Sequence, residues 1–237
     1  MPAALTPTRR RGVEKLEVPG VPGAVVRRSL ADVARANALF GGTRAVLSEL
    51  RPLLAARARS SGDRTLTLLD VGTGIGDIAL AAQREAVRRG VGLATIGADS
   101  SIPLLGSASQ RLDMTLAANA LELPFADWSV DIVVCSQLLH HFTEREIASV
   151  LRELHRVARV RVIISDLRRS WMAAAGIWLA SFPLHFHPIS RHDGVLSVLR
   201  GFTAPELGAH IVRATGVSPT VTRRLGWRVT ASWTPLA

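Results

Sequence analysis

The stretch Leu68–Leu80, LLDVGTGIGDIAL, closes an apolar run on a carboxylate, Asp70, and then places Gly72, Gly74 and Gly76 on alternate positions. A strand ending in such a turn leaves bare backbone beneath a ligand at the carboxyl end of a sheet. Two adenosine cofactors use loops of this kind, the dinucleotides and S-adenosylmethionine. A dinucleotide loop spaces its glycines G-x-G-x-x-G, so that the pyrophosphate meets a helix N-terminus. Here the position of that last glycine is Asp77. A carboxylate there repels a pyrophosphate but suits the sulfonium and ammonium groups of S-adenosylmethionine, so charge favours the methyl donor. A second carboxylate, Asp99, ends the run GLATIGAD, where it can accept hydrogen bonds from ribose hydroxyls, a role open to either cofactor. Two histidines, His140 and His141, follow the run VDIVVCS, and His185, His187 and His192 lie among aromatics further on.

The elements that must position these residues follow from hydrophobic period. TLTLLDV, GLATIGAD, MTLAAN, VDIVVCS and VRVIISDL read as five buried strands. Between them DIALAAQREAVRR, a Pro-containing segment from Ile102 and TEREIASVLRELHRVAR read as helices. Strands alternating with helices give a parallel sheet covered on both faces. SPTVTRRLG and WRVTASWT, joined by a tight glycine turn, form a hairpin and so add one antiparallel strand. Before the sheet, SLADVARANALF and TRAVLSELRPLLAARA have helical period, with Ser29 and Thr43 as N-caps. Residues 1–24, rich in Pro, Gly and Arg, read as a flexible leader; residues 25–60 hold the two helices, and residues 61–237 the main domain. Residues 168–202 interrupt that domain, and aromatics and histidines concentrate there, with five of its ten Phe and Trp residues and three of its seven His.

The motifs LLDVGTGIGD, ADSS and NALELPFADWSVDIVVCSQLLHHF stand in register with the strand ends. Together they resemble the class I S-adenosylmethionine-dependent methyltransferases, in particular the small-molecule group similar to ubiquinone and menaquinone methyltransferases. The resemblance implies a Rossmann-like, doubly wound α/β fold with a mostly parallel seven-stranded sheet and an antiparallel last strand. It implies that Asp70, Gly72, Gly74, Asp99, Asn119, Ala120 and Ser136 line the donor, with Thr73, Ser100 and Gln137 beside them. Many relatives carry Asp where this chain has Asn119; the amide carbonyl can still accept a bond from the adenine amino group.

Methyl transfer from a sulfonium is an in-line displacement by a donor already activated, so the protein mainly orients and desolvates the reactants. A general base is needed only if the acceptor must lose a proton. His140 and His141 are candidates for that role or for packing beneath the following helix. The inserted segment, with Trp171, Trp178, His185, His187, Arg191 and His192, reads either as a lid around an apolar acceptor or as a helical hairpin burying its tryptophans. Arg191, His192 and Asp193 could bind a polar acceptor group or cap the helix DGVLSVLRGF.

Composition limits the alternatives. The net charge of +10 is carried by arginine, since Lys15 is the sole lysine, and no compact basic and aromatic strip marks nucleic acid. The signature of exocyclic-amine methylation is absent after VDIVVCS. Cys135 lies inside an apolar strand without an activating base, and a lone thiol has no CxxC partner, so neither a cysteine nucleophile nor a metal is expected. One cysteine forms no internal disulfide, the N-terminus lacks a signal-peptide core, and the apolar window Trp171–Ile189 is broken by Pro183 and Pro188. A cytoplasmic enzyme without stable membrane insertion is expected, with a small-molecule substrate and a homodimer left open. The leading expectation is O-methylation of a hydrophobic, hydroxylated, quinone-type or secondary metabolite. C- or N-methylation of a similar molecule, a nicotinamide-dependent oxidoreductase and a non-catalytic cofactor-binding partner are the alternatives.

Overall fold

The computed structural model describes residues 6–18, 20–60 and 65–236. A seven-stranded sheet is formed by β1 (Leu66–Val71), β2 (Leu93–Asp99), β3 (Met114–Ala117), β4 (Val130–Ser136), β5 (Ala158–Leu167), β6 (Thr220–Arg224) and β7 (Arg228–Trp233). Its order is β3-β2-β1-β4-β5-β7-β6, with β7 antiparallel to both of its neighbours and the other pairs parallel. This is the expected Rossmann-like arrangement. The order reverses between β1 and β4, so their carboxyl ends open the crevice where such sheets bind ligands.

The helices are α1 (Gly23–Leu39), α2 (Gly42–Ala58), α3 (Asp77–Arg88), α4 (Ile102–Ala108), α5 (Glu144–Val157), α6 (Trp171–Ala180), α7 (Pro188–Arg200) and α8 (Ala204–Thr215). Two cores cover the sheet. One packs α5 and α8 on β4, β5 and β7 through Ile147, Leu151, Phe202, Leu207 and Ile211; the other packs α2 and α3 through Leu50, Leu54, Ala79 and Ala82. The central strands are buried on both faces, which is why they read as continuous apolar runs. Cys135 belongs to the first core, and burial, with Asp166 and Asp70 adding, pushes its thiol well above the ordinary range.

Several boundaries differ from the sequence reading. Ser29 is an interior, buried residue of α1, because Pro22 holds extended backbone at the helix start, seven residues earlier. Thr43 falls inside α2, since the left-handed Gly41 turns the chain first. α8 adds a helix to those expected; its signal is the capping box of Thr203 and Glu206.

Residues 1–5 of the expected leader lie outside the described residues. Residues 6–18 are not loose chain but a strap across α7. Pro7 O accepts from Arg169 Nε at 2.7 Å, Arg10 N donates to Leu199 O at 3.0 Å, and Asp193 accepts the backbone N–H groups of Lys15 and Leu16. Hydrogen-bonded backbone and a buried Glu14 fix a segment whose composition alone reads as flexible.

Candidate functional site

A cavity of about 420 Å³ opens above the carboxyl ends of β1 and β4, within the range of small-molecule sites. Its floor is the glycine turn. Gly72 has φ +74°, and a Cβ there would sit 2.8 Å from the Leu138 side chain, so any other residue loses both the conformation and the space. Asp70, at the end of β1, accepts from Thr73 Oγ1 at 3.0 Å and is 1% exposed. Burial pushes its carboxyl up to about 7, with Asp77 and Asp99 adding and the Thr73 bond opposing. Burial likewise raises Asp77, at the first turn of α3. The floor therefore gathers acids, a cost that a cationic ligand offsets.

At the end of β2, Asp99 accepts the N–H of Gly74 and of Ser101, both at 2.9 Å, which ties the glycine turn to the neighbouring strand. Each carboxylate oxygen keeps a further lone pair. Ser100 beside it is exposed, and Asn119, after β3, accepts the Leu121 N–H through Oδ1, with Ala120 half-buried. Asp99, Ser100, Asn119 and Ala120 thus form a row along the strand ends outside the cavity itself, while Asp70, Gly72, Thr73, Gly74, Ser136 and Gln137 line it.

Opposite the glycine turn, a short turn after β4 carries His140 and His141, both lining the cavity. His140 is 3% exposed; its Nδ1 lies 2.7 Å from Asp166 Oδ1, on β5. Burial raises Asp166, but His140, the Leu167 N–H and His141 outweigh it and hold the carboxyl below its usual range. An ionised carboxylate only accepts, so Nδ1 carries a proton toward Asp166 while Nε2 faces the cavity. Ser136 Oγ, His140 Nε2 and Trp227 Nε1, all on the cavity wall, are buried without hydrogen-bond partners. Polar atoms placed in this way offer hydrogen-bonding groups to a polar ligand or to water.

Glu14, from the strap, completes this corner. Its Oε1 accepts from Ser197 Oγ at 2.6 Å and lies 3.9 Å from His140 Nε2 and 3.6 Å from Arg200 Nη1. Glu14, His140 and His141 bring three metal-ligand atoms within 4.8 Å of one another. The Arg200 guanidinium, bonded to the carbonyls of His140 and His141, already places a positive charge there.

The remaining wall joins distant parts of the chain. Asn37 of α1 donates to Asp77 at 3.3 Å and accepts from Gln137 Nε2; Arg228 donates to Gln137 Oε1 at 2.6 Å and approaches Asn37 Oδ1 at 3.5 Å. Burial lowers Arg228 to about 10, which leaves it charged at neutrality. Gln137 and Trp227, with φ +54° and +53°, adopt left-handed backbone at this wall, strain of the kind retained at ligand sites. Gly226 makes the junction tight, since a Cβ there would lie 1.9 Å from Phe40 O.

The inserted segment covers the cavity with α6 and α7, but through Ala173, Ile177, Phe186, Ser190, Asp193 and Val198. The six residues expected to meet an acceptor lie elsewhere. Trp171 and Trp178 are 43% and 47% exposed on the outer face of α6. His185 is exposed, and His187 caps α7 through Nδ1. Arg191 stacks on Phe182 at 3.8 Å, and His192 turns outward against Asp193. The helical-hairpin reading is thus right about the helices, but the tryptophans are not its core. α6 is apolar all round, so its period cannot tell the cavity face from the outer one. Asp166, Glu14, Arg200, Asn37 and Arg228 carry no local motif; a polar residue inside an apolar strand, as in VRVIISDL, was the available signal for Asp166.

A model of the family described as methyltransferase domain matches residues 69–164. A demethylmenaquinone methyltransferase from Roseiflexus sp. (strain RS-1) is 33% identical over 175 residues, which span 67% of this chain and 70% of that protein. Among solved structures, an S-adenosylmethionine-dependent methyltransferase from Aquifex aeolicus superposes with a TM-score of 0.60 at 18% identity, over 91% of this chain and all of that one. An O-methyltransferase family 2 protein from Planctomyces limnophilus, in complex with apigenin, gives 0.62 at 16% identity over 93% of this chain and 64% of that one.

Proposed function

The chain belongs to the class I S-adenosylmethionine-dependent methyltransferases, and from that premise we propose that it O-methylates an apolar, hydroxylated small molecule of quinone or secondary-metabolite type. The observation that carries the acceptor chemistry is His140, with Nε2 on the cavity wall and Nδ1 held by Asp166. The donor supplies an activated methyl group when bound. Its cationic groups suit the acids Asp70 and Asp77, Asp99 suits the ribose, Ser100 and the Asn119–Ala120 turn suit the adenine side, and Gly72, Thr73, Gly74, Ser136 and Gln137 bring backbone and side chains close without bulk. His140 takes the acceptor proton at Nε2, and Asp166 stabilises the ring as it becomes cationic. Ile177, Phe186 and Val198 keep water from the acceptor. The Roseiflexus relative is named for a quinone acceptor, and the Planctomyces protein is in complex with the phenol apigenin; both support an apolar ring acceptor, while the choice of oxygen rests on His140.

The test is transfer of labelled methyl from S-adenosylmethionine to a panel of phenols, hydroquinones and their amino and carbon-acid analogues. Methyl ethers as products are expected. Turnover only on amino or carbon acceptors overturns the O-methylation reading.

A further inference from the structure

The outer face of α6 is unlike the rest of the surface. Trp171, Met172, Trp178, Leu179 and Phe182, at helical spacing, are between 43% and 61% exposed, a contiguous apolar patch of a kind that soluble surfaces seldom leave without use. The patch is framed by guanidinium groups. Arg10 lies over Trp171 at 5.4 Å, Arg191 over Phe182 at 3.8 Å, and Arg28 donates to His185 O at 3.0 Å. No Asp or Glu occurs in residues 167–192. The nearby Asp32 is buried beneath His187 and Ser190, where Arg28 and Arg35 share it.

We infer that this face of α6 docks on an anionic phospholipid bilayer. Tryptophans and a phenylalanine beside arginines match an interface where one side is hydrocarbon and the other negatively charged headgroup. With 10 residues α6 lies in the interface and does not cross it, and no helix among the described residues is long and apolar enough to span. A second copy of the chain fits the patch less well, because a two-fold contact sets these arginines against their own equivalents without a facing carboxylate. The inner face of the same helix, at Ala173 and Ile177, lines the cavity. Docking therefore brings the cavity to the bilayer, whatever acceptor it takes.

The experiment is co-sedimentation of the full chain with vesicles of phosphatidylglycerol mixed with phosphatidylcholine, and of phosphatidylcholine alone, at low and high salt, with gel-filtration mass measured in parallel. Binding to the anionic vesicles alone, weakened by salt, is expected. The double variant Met172→Gln/Leu179→Gln should bind about tenfold more weakly or less, with unchanged S-adenosylhomocysteine affinity as the check that it folds. Should the variant fail that check, the salt and lipid dependence of the unaltered chain decides. Absence of binding to anionic vesicles, equal binding to neutral ones or by a folded variant, or a dimer that the variant dissociates overturns the inference. Donor titration is a separate readout, so failure here leaves the methyltransferase reading standing.

Discussion

One wall of the cavity is a single stretch of chain, Asp70 to Ile78, whereas the facing wall is assembled from the strap, α1, the turn after β4, α6, α7 and the hairpin turn. The first is shaped by backbone: left-handed glycines and the bond from Gly74 to Asp99. The second is shaped by side chains reaching far along the sequence, Glu14 to Ser197 and Asn37 to Arg228. On the function proposed above, the local wall and the strand ends beside it take the cofactor and the composite wall takes the acceptor. Donor binding and acceptor chemistry should then respond to different substitutions.

The sharpest way to break that division is at the His140–Asp166 pair. His140→Ala should lower kcat by about 10²- to 10⁴-fold, while calorimetry finds donor affinity unchanged. Asp166→Asn should reproduce the kcat loss by freeing the wrong ring tautomer. A matching loss of donor binding in either variant makes the two walls one unit. On the other side, Asp99→Ala should weaken S-adenosylmethionine by about ten- to a hundredfold, the range for hydrogen bonds to a charged group, with acceptor KM unmoved.

A smaller effect comes from pH. Asp70 is held near 7 by burial, so it ionises as the pH rises through that value, and affinity for the cationic donor should rise several-fold between about pH 6 and pH 8. In the free protein the sign is opposite. A carboxyl raised in the fold stabilises it below the ordinary carboxylate range, and that contribution is lost as the pH rises through about 7. Thermal melts with and without donor across this window separate the two. The smallest change is expected of Trp178→Ala, whose side chain faces outward; acceptor KM in detergent-free buffer should stay within about twofold, and a large rise returns that residue to the composite wall.

How much was legible follows the same division. The apolar runs, the glycine turn and the strand-end polar residues give the sheet and the crevice from sequence alone, because each is a local pattern. α6 is opaque by contrast: with Trp, Met, Ala, Ile and Leu around it, nothing in its period chooses between cavity and exterior. The strap escaped for a related reason. Its ordering comes from Asp193 and Arg200 on α7 and Arg169 just past β5, and a Pro- and Gly-rich segment does not announce partners so far away.

The joining of α1 to the hairpin turn also sets an order of assembly. Asn37 meets Arg228, 191 residues later, and Glu49 meets Arg224, Thr230 and Ser232. Contacts of such separation form late and cost the most chain entropy. A chain emerging from the ribosome carries the glycine turn and His140 long before Arg228 exists, so the wall that Arg228 ties to Asn37 is the last part of the cavity that can close. Truncation within β7 should leave that wall open, with the apolar interior exposed to aggregation.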